Sequence, residues 1–369
     1  MRKISTVRGD ISPEKLGLTS MHDHTLNDMR GLVDVFKQFF PPVPDEMLEF
    51  KMENFSFLKT GMVMLSEDHA VTDDIDYMIK EFNAFKRVGG KSIVDASMIG
   101  MRGNLKDIQK ISEQTEINVI CATGFFNGLA LPQEIEEQFN KGEKGQMAIL
   151  EQEINEGIEG TGIKPGFIKC ALDTPNENGQ LNEKELQILR SCANVAAEKG
   201  MCLEVHTASK LTPELILVAI DMVLEETEIS PDKLVVLHMD QFMTRFDILL
   251  DYISDLSATK ELSIDFYEKL LDKGVNISFD TWGSPITSTY YYYPEDFDRI
   301  KVVIALLKKG YASQIVFGHD VVGKMYGVSY GNYGYTRFPE FIPAMLSQVG
   351  LEDKVNTMFV ENPARILAY

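Results

Sequence analysis

Short apolar runs of strand length alternate along this chain with longer segments whose apolar residues recur every three or four positions. Runs of this kind suit buried strands and the longer segments suit amphipathic helices, so the alternation predicts parallel strands joined by crossover helices. Eight runs fall at about residues 17–24, 92–97, 118–124, 166–172, 202–208, 234–240, 276–282 and 315–321. The helical period is clearest over Glu183–Lys199, Pro213–Glu226 and Glu295–Lys309. A last helix follows Val360-Glu-Asn-Pro363, where Asn362 can cap and Pro363 suits the first turn.

Eight strands, each followed by a helix, predict an α/β fold of the (β/α)8 barrel type, one domain over residues 1–369, with active sites at the strands' C-terminal ends. An open doubly wound sheet would usually place a glycine-rich phosphate turn after its first strand. That position holds His22-Asp-His24 instead. The gap at about 25–91 exceeds the needs of one crossover helix, and Asp45–Met62 reads as extra helical material over or beside the barrel mouth.

The run ends carry the candidate chemistry. In a strand, side chains two apart share a face, so His22 and His24 aim two imidazoles at one point, the geometry that a metal ion requires. Other runs end in His206, in His238 and in His319-Asp320, and the run 166–172 carries Lys169 where an apolar residue is expected. Of six histidines in the chain, five sit at such ends, so a shared site is a better account than chance. His319 is one residue out of phase with Asp320 and suits a structural hydrogen bond, whereas His69 reads as part of a solvated loop or cap. Asp23 faces away from its neighbours, and Asp240 is a candidate partner of a ligand.

Charge and cysteines narrow the class. A net charge of −20 repels nucleic acid and anionic membranes, and so excludes both as expected partners. Cys121, Cys170, Cys192 and Cys202 show no close spacing and read as reduced, packed thiols. With no secretory pattern and no run of membrane-spanning length, the expected location is the cytoplasm.

The order His-x-His, strand-borne Lys, His, His, Asp resembles the phosphotriesterase family of the amidohydrolase superfamily, which includes the phosphotriesterase-like lactonases. The likeness runs from His22 to Asn362-Pro-Ala-Arg365. It implies a hydrolase with two divalent ions, expected to be zinc. His22, His24 and Asp320 would bind the more buried ion, His206 and His238 the more exposed one, and Lys169 would bridge both. A buried ammonium between two cations is untenable, so the bridge requires N-carboxylation of Lys169 by CO2 to an anionic carbamate. A hydroxide shared by the two ions would attack the substrate, with Asp320 as catalytic proton acceptor and shuttle to the leaving group. The resemblance also implies a homodimer.

Fold and metals leave the substrate open. Many members of the family carry a Tyr after the third-strand Ala-Thr-Gly that orients lactones; here the chain reads Ala122-Thr-Gly-Phe-Phe126, which argues against a plain acyl-homoserine lactone. Lys210, Arg245, Arg102 and Lys324 add cations near the expected mouth, pointing to an anionic small-molecule substrate. Phe126 and Trp282 are candidates to line the pocket. Tyr290–Tyr293 and the stretch Lys324–Tyr335 suit a mobile lid or a packed loop. The leading expectation is a lactonase that opens a small polar, phosphorylated sugar lactone. The alternatives are a phosphotriesterase acting on organophosphate esters and, from another class, a metal-binding protein without turnover.

Overall fold

The eight apolar runs form eight parallel strands: β1 (Thr19–Asp23), β2 (Ser92–Asp95), β3 (Asn118–Gly124), β4 (Phe167–Leu172), β5 (Leu203–Thr207), β6 (Leu234–Val236), β7 (Asn276–Phe279) and β8 (Ile315–Phe317). Each pairs with the next in chain order, and the strands are buried along nearly their whole length, as expected of a sheet covered on both faces. This structure, a computed structural model, describes residues 2–38, 40, 42–128, 131–243, 254–257, 262–286 and 294–369.

The seam between β8 and β1 closes at the candidate site itself. The backbone N–H groups of His319 and Asp320 donate to the His22 carbonyl at 3.2 and 3.1 Å. Gly318 permits this approach, because a Cβ there would lie 2.4 Å from the same oxygen. The result is a (β/α)8 barrel.

The helices follow the sequence period closely. Glu183–Lys199 and Pro213–Glu226 have the predicted bounds, and Asp296–Lys309 is preceded by Glu295 in a capping box. Asn182 and Thr212 cap the first two through their side chains. The C-terminal helix differs from its expectation. A π-helical turn, Thr357–Glu361, runs directly into Asn362–Leu367, so Asn362 is not a cap. Its amide instead donates to the carbonyls of Ala312 and Ile315 at 2.8 and 2.9 Å, locking the helix under β8.

Between β1 and β2 the chain makes an excursion of short helical pieces: Arg30–Lys37, Asp45–Leu48, Met52–Asn54, Phe55–Leu58, Met62–Leu65 and Glu67–Ala70. Its base is pinned where Asn27–Asp28 pairs antiparallel with Val71–Thr72. Phe55, Leu58 and Val63 pack with Met325 from the segment after β8, so the excursion leans on the barrel's C-terminal end. Among the described residues, no helix is long and apolar enough to cross a membrane.

Candidate metal centre

Two backbone irregularities aim the candidate ligands. The β1–β2 register shifts between Ser20 and Asp23, the stretch that contains His22, and a bulge of this kind re-aims a side chain. His238 and Asp320 have φ values of 59° and 52°, in the left-handed region that His, Asn and Asp tolerate better than most residues. Both lie just beyond their strands, which end at Val236 and Phe317.

The six residues expected as ligands converge. Nε2 of His22 is 3.3 Å from Oδ1 of Asp320 and 3.2 Å from Nζ of Lys169, and Nε2 of His24 is 3.5 Å from the same Asp320 oxygen. The donor atoms of His22, His24 and Asp320 all lie within 4.8 Å of one another. The ring of His238 is 4.8 Å from that of His22, and the ring of His206 is 4.4 Å from that of His238.

What stands behind each ring decides which nitrogen faces the centre. His22 Nδ1 is 3.4 Å from Glu204 Oε2, His24 Nδ1 is 2.8 Å from Ser97 Oγ, and His238 Nδ1 is 2.8 Å from Asp280 Oδ1. In these three rings Nδ1 has a protein partner, which leaves Nε2 facing the centre. Metal-binding histidines are oriented in the same way. Asp280 is held in turn by Asp240, whose Oδ2 accepts the Asp280 backbone N–H at 2.7 Å while Arg299 Nε donates to Oδ1 at 2.7 Å. His206 turns Nε2 toward Asp173, at 3.8 Å.

The electrostatics suit a cation. Burial, reinforced by Lys169, pushes the His22 imidazole down to about 3, and burial with His238 nearby pushes His206 down to about 4. Both rings are therefore neutral at pH 7, the form that binds metal. Burial lowers the Lys169 amine as well. Burial raises Asp320, but the neighbouring His22 and His24 outweigh it and hold the carboxyl well below its usual range. This donor set of imidazoles, an anionic carboxylate and a buried amine of lowered pKa fits divalent ions.

The centre opens into a cavity of about 340 Å³. Phe126 lines it and meets the His206 ring edge-on at 5.0 Å, and Lys210 lines it while paired with Asp173 at 3.3 Å. The other substrate candidates are placed differently. The Arg102 side chain is 3% exposed and forks onto Glu153 at 3.2–3.3 Å, a charge-assisted pair that holds the guanidinium away from the cavity. Trp282 is 1% exposed, packs against Phe317 and Phe341, and donates its indole N–H to the Phe279 carbonyl, so it belongs to the core. Lys324 reaches outward to Asp68 at 3.8 Å and does not line the cavity. Arg245 and Tyr290–Tyr293 lie outside the described residues.

The segment after β8 is tied down as a packed loop. Glu81 accepts the N–H groups of Val328 and Ser329, Tyr77 donates to the Lys324 carbonyl, and the Tyr335 hydroxyl donates to the His24 carbonyl. His69 also departs from its sequence reading. It is buried in the cavity wall, stacks on Tyr326, accepts the Met325 N–H, and is pushed by burial down to about 3. His319 and Asp23 are structural: Ser20 bonds to both, and Asp23 accepts the Val321 N–H.

Sequence reasoning missed Glu204, Ser97, Asp280 and Asp173. The signal for Glu204 was present, since it precedes His206 by two positions on β5 and so shares its face. Asp280, Ser97 and Asp173 each follow a strand by one or two residues, the zone where barrel sites form.

Comparison with known proteins agrees with this geometry. The profile of the Phosphotriesterase family matches residues 2–367. An N-acetyltaurine hydrolase of Xenopus tropicalis is 26% identical, over 100% of this chain and 98% of the relative. A phosphotriesterase-related protein of Nematostella vectensis is 27% identical, over 99% and 98%. Among solved structures, a resiniferatoxin-binding protein from Rhodobacter sphaeroides superposes with a TM-score of 0.78 at 24% identity, covering 99% of this chain and 94% of that one. With its whole length matched and its donor set gathered at the barrel mouth, the chain belongs to the phosphotriesterase family of hydrolases.

Proposed function

We propose that this protein hydrolyses a carbonyl-centred ester bond, as a lactonase, in a small substrate that carries one anionic group. The observation that carries the reading is Lys210, a lysine on the cavity lining in a chain of net charge −20. The phosphorylated sugar lactone expected from the sequence is a narrower form of this reading. It loses support, because Arg102 and Lys324 lie away from the cavity.

His22, His24 and Asp320 would hold one divalent ion, His206 and His238 a second, and Lys169 would join them as its carbamate. The lowering of the Lys169 amine by burial favours that modification, since a free amine adds to CO2 with loss of one proton. When bound, such ions supply Lewis-acid polarisation and lower the pKa of water. The protein's own groups do the rest. Asp320 stays ionised and its side chain is 22% exposed, so it can take a proton from the attacking water and deliver it to the leaving oxygen. Phe126 excludes water beside His206, and Lys210 orients the anion.

A second reading, hydrolysis of an N-acyl amide, is favoured by the relatives named N-acetyltaurine hydrolase. Such a substrate is an acetamide bearing a sulfonate, and Lys210 suits that anion as well. The test is kcat/KM for lactones and N-acyl amides, each with and without an anionic group, in the wild type and in Lys210→Met. The variant is expected to lose about 10–100-fold on charged substrates only, the size of one charge-assisted contact. Equal losses on neutral and charged substrates would remove Lys210 from recognition.

A further inference from the structure

Asp173, the first residue after β4, stands between the metal centre and Lys210. Its Oδ1 faces Nε2 of His206 at 3.8 Å, while its Oδ2 pairs with Nζ of Lys210 at 3.3 Å and accepts the Thr174 hydroxyl at 2.6 Å. His206 is neutral at pH 7, and a neutral ring that faces a carboxylate keeps its proton on that side, which leaves Nδ1 as the bare nitrogen. One carboxylate thus meets a ligand ring with one oxygen and the cavity lysine with the other. Its backbone is held from behind. Glu185, in the first turn of the helix Glu183–Lys199, is 3% exposed, and its carboxylate accepts the Asp173 N–H at 2.9 Å and the Thr174 N–H at 3.3 Å. The Asn127 side chain, after β3, is a further partner. A carboxylate so buried is costly unless donors surround it, and here the donors belong to the segment that carries Asp173.

We infer that Glu185 is a positioning residue of the metal centre: it fixes the start of the segment after β4, and through Asp173 it sets the His206 ring and the Lys210 ammonium. This deepens the proposed function and rests on its two-ion centre. A carboxylate is the stronger acceptor of N–H bonds, whereas a protonated carboxyl or an amide turns one of its two atoms into a donor beside the Thr174 N–H. The hold on Asp173 therefore weakens when Glu185 is neutral. Burial, aided by the Asp173 charge, outweighs the N–H donors and pushes the Glu185 carboxyl up to about 7, so the change falls near neutral pH. The groups that face it are Asp173 and Thr174 after β4, Asn127 after β3 and the Cys170 thiol of β4, which burial keeps protonated.

Zinc binding to the whole chain with bicarbonate, read by chelator competition, is compared at pH 8 and pH 6 in the wild type, Glu185→Gln, Asp173→Asn and the double variant. At pH 8 each single variant is expected to bind the weaker of two zinc ions about tenfold less tightly. The double variant should lose no more than Asp173→Asn alone, because the two residues act in series. At pH 6 the gap between the wild type and Glu185→Gln should close, since both then present a neutral group. A gap of equal size at both pH values, or losses that add, would overturn the inference. Ring signals of nitrogen-15-labelled histidine in the metal-free protein read the same link without zinc. Those of His206 should move through pH 7 in the wild type and stay in Glu185→Gln and in Asp173→Asn. If the wild type takes up fewer than two zinc ions while those signals follow Glu185, the positioning stands and the two-ion centre falls. Signals alike in all three proteins would overturn the positioning.

Discussion

Asp280 holds His238 twice: one carboxylate oxygen lies 2.8 Å from Nδ1 and the other accepts the His238 backbone N–H at 3.1 Å. A single side chain thus fixes both the ring and the left-handed backbone on which the ring is carried. Burial raises the Asp280 carboxyl, but His238 outweighs it and keeps Asp280 ionised.

Asp280→Asn therefore tests how the centre is assembled. Both Asp280 oxygens accept hydrogen bonds, and an amide turns one acceptor into a donor that faces an N–H. Divalent-metal affinity is expected to fall about 10–100-fold, measured by competition with a chelator. Unchanged affinity in a folded variant would show that His238 needs no such orientation.

The barrel was legible because strand residues had to be apolar along their length and helices on one face only. The site was legible because inward side chains at strand ends have few other roles. What could not be read was set by partners distant in sequence. Arg102 looks like a mouth cation until Glu153, 51 residues away, turns it inward. His69 sits in a polar stretch, yet Phe50 and Tyr326 cover it. Asn362 has the composition of a cap, and only the preceding π-helical turn shows that the helix has already begun. The run assigned to β6 reached residue 240 because composition does not reveal the φ of 59° at His238.

His69 gives a pH prediction. Folding holds its ring neutral, with a pKa near 3, while the unfolded chain protonates it near 6.5. Between those values the unfolded state binds the extra proton, so stability is fully present above about pH 6.5 and is lost as pH falls toward 3. His69→Asn places an oxygen near the position of Nδ1, as an acceptor for the Met325 N–H, and cannot titrate. Urea unfolding at pH 7 and pH 5 should show a weaker pH dependence in the variant, by at most about 1.4 kcal/mol per pH unit. Equal slopes would show that His69 is not the titrating group.

Lys169 tests the bridge. Protein prepared with bicarbonate is expected to approach two divalent ions per chain, the number that the proposed function requires. Lys169→Ala should lose most of that metal, as read by elemental analysis, because the bridging anion is gone. Full metal content in the variant would mean that the histidines and Asp320 suffice.

Asp320 carries the last test, and its backbone dictates the substitution. At φ 52° an alanine would add strain, whereas asparagine tolerates this conformation and keeps a neutral oxygen toward His22 and His24. Asp320→Asn should thus retain the fold and substantial metal while losing the group that takes the proton. Turnover is expected to fall by about 10²–10⁴-fold, mainly in kcat. The loss should be smallest for substrates whose leaving group needs no proton, such as an activated aryl ester. A variant that turns over near the wild-type rate with its metal in place would assign the proton route to another group.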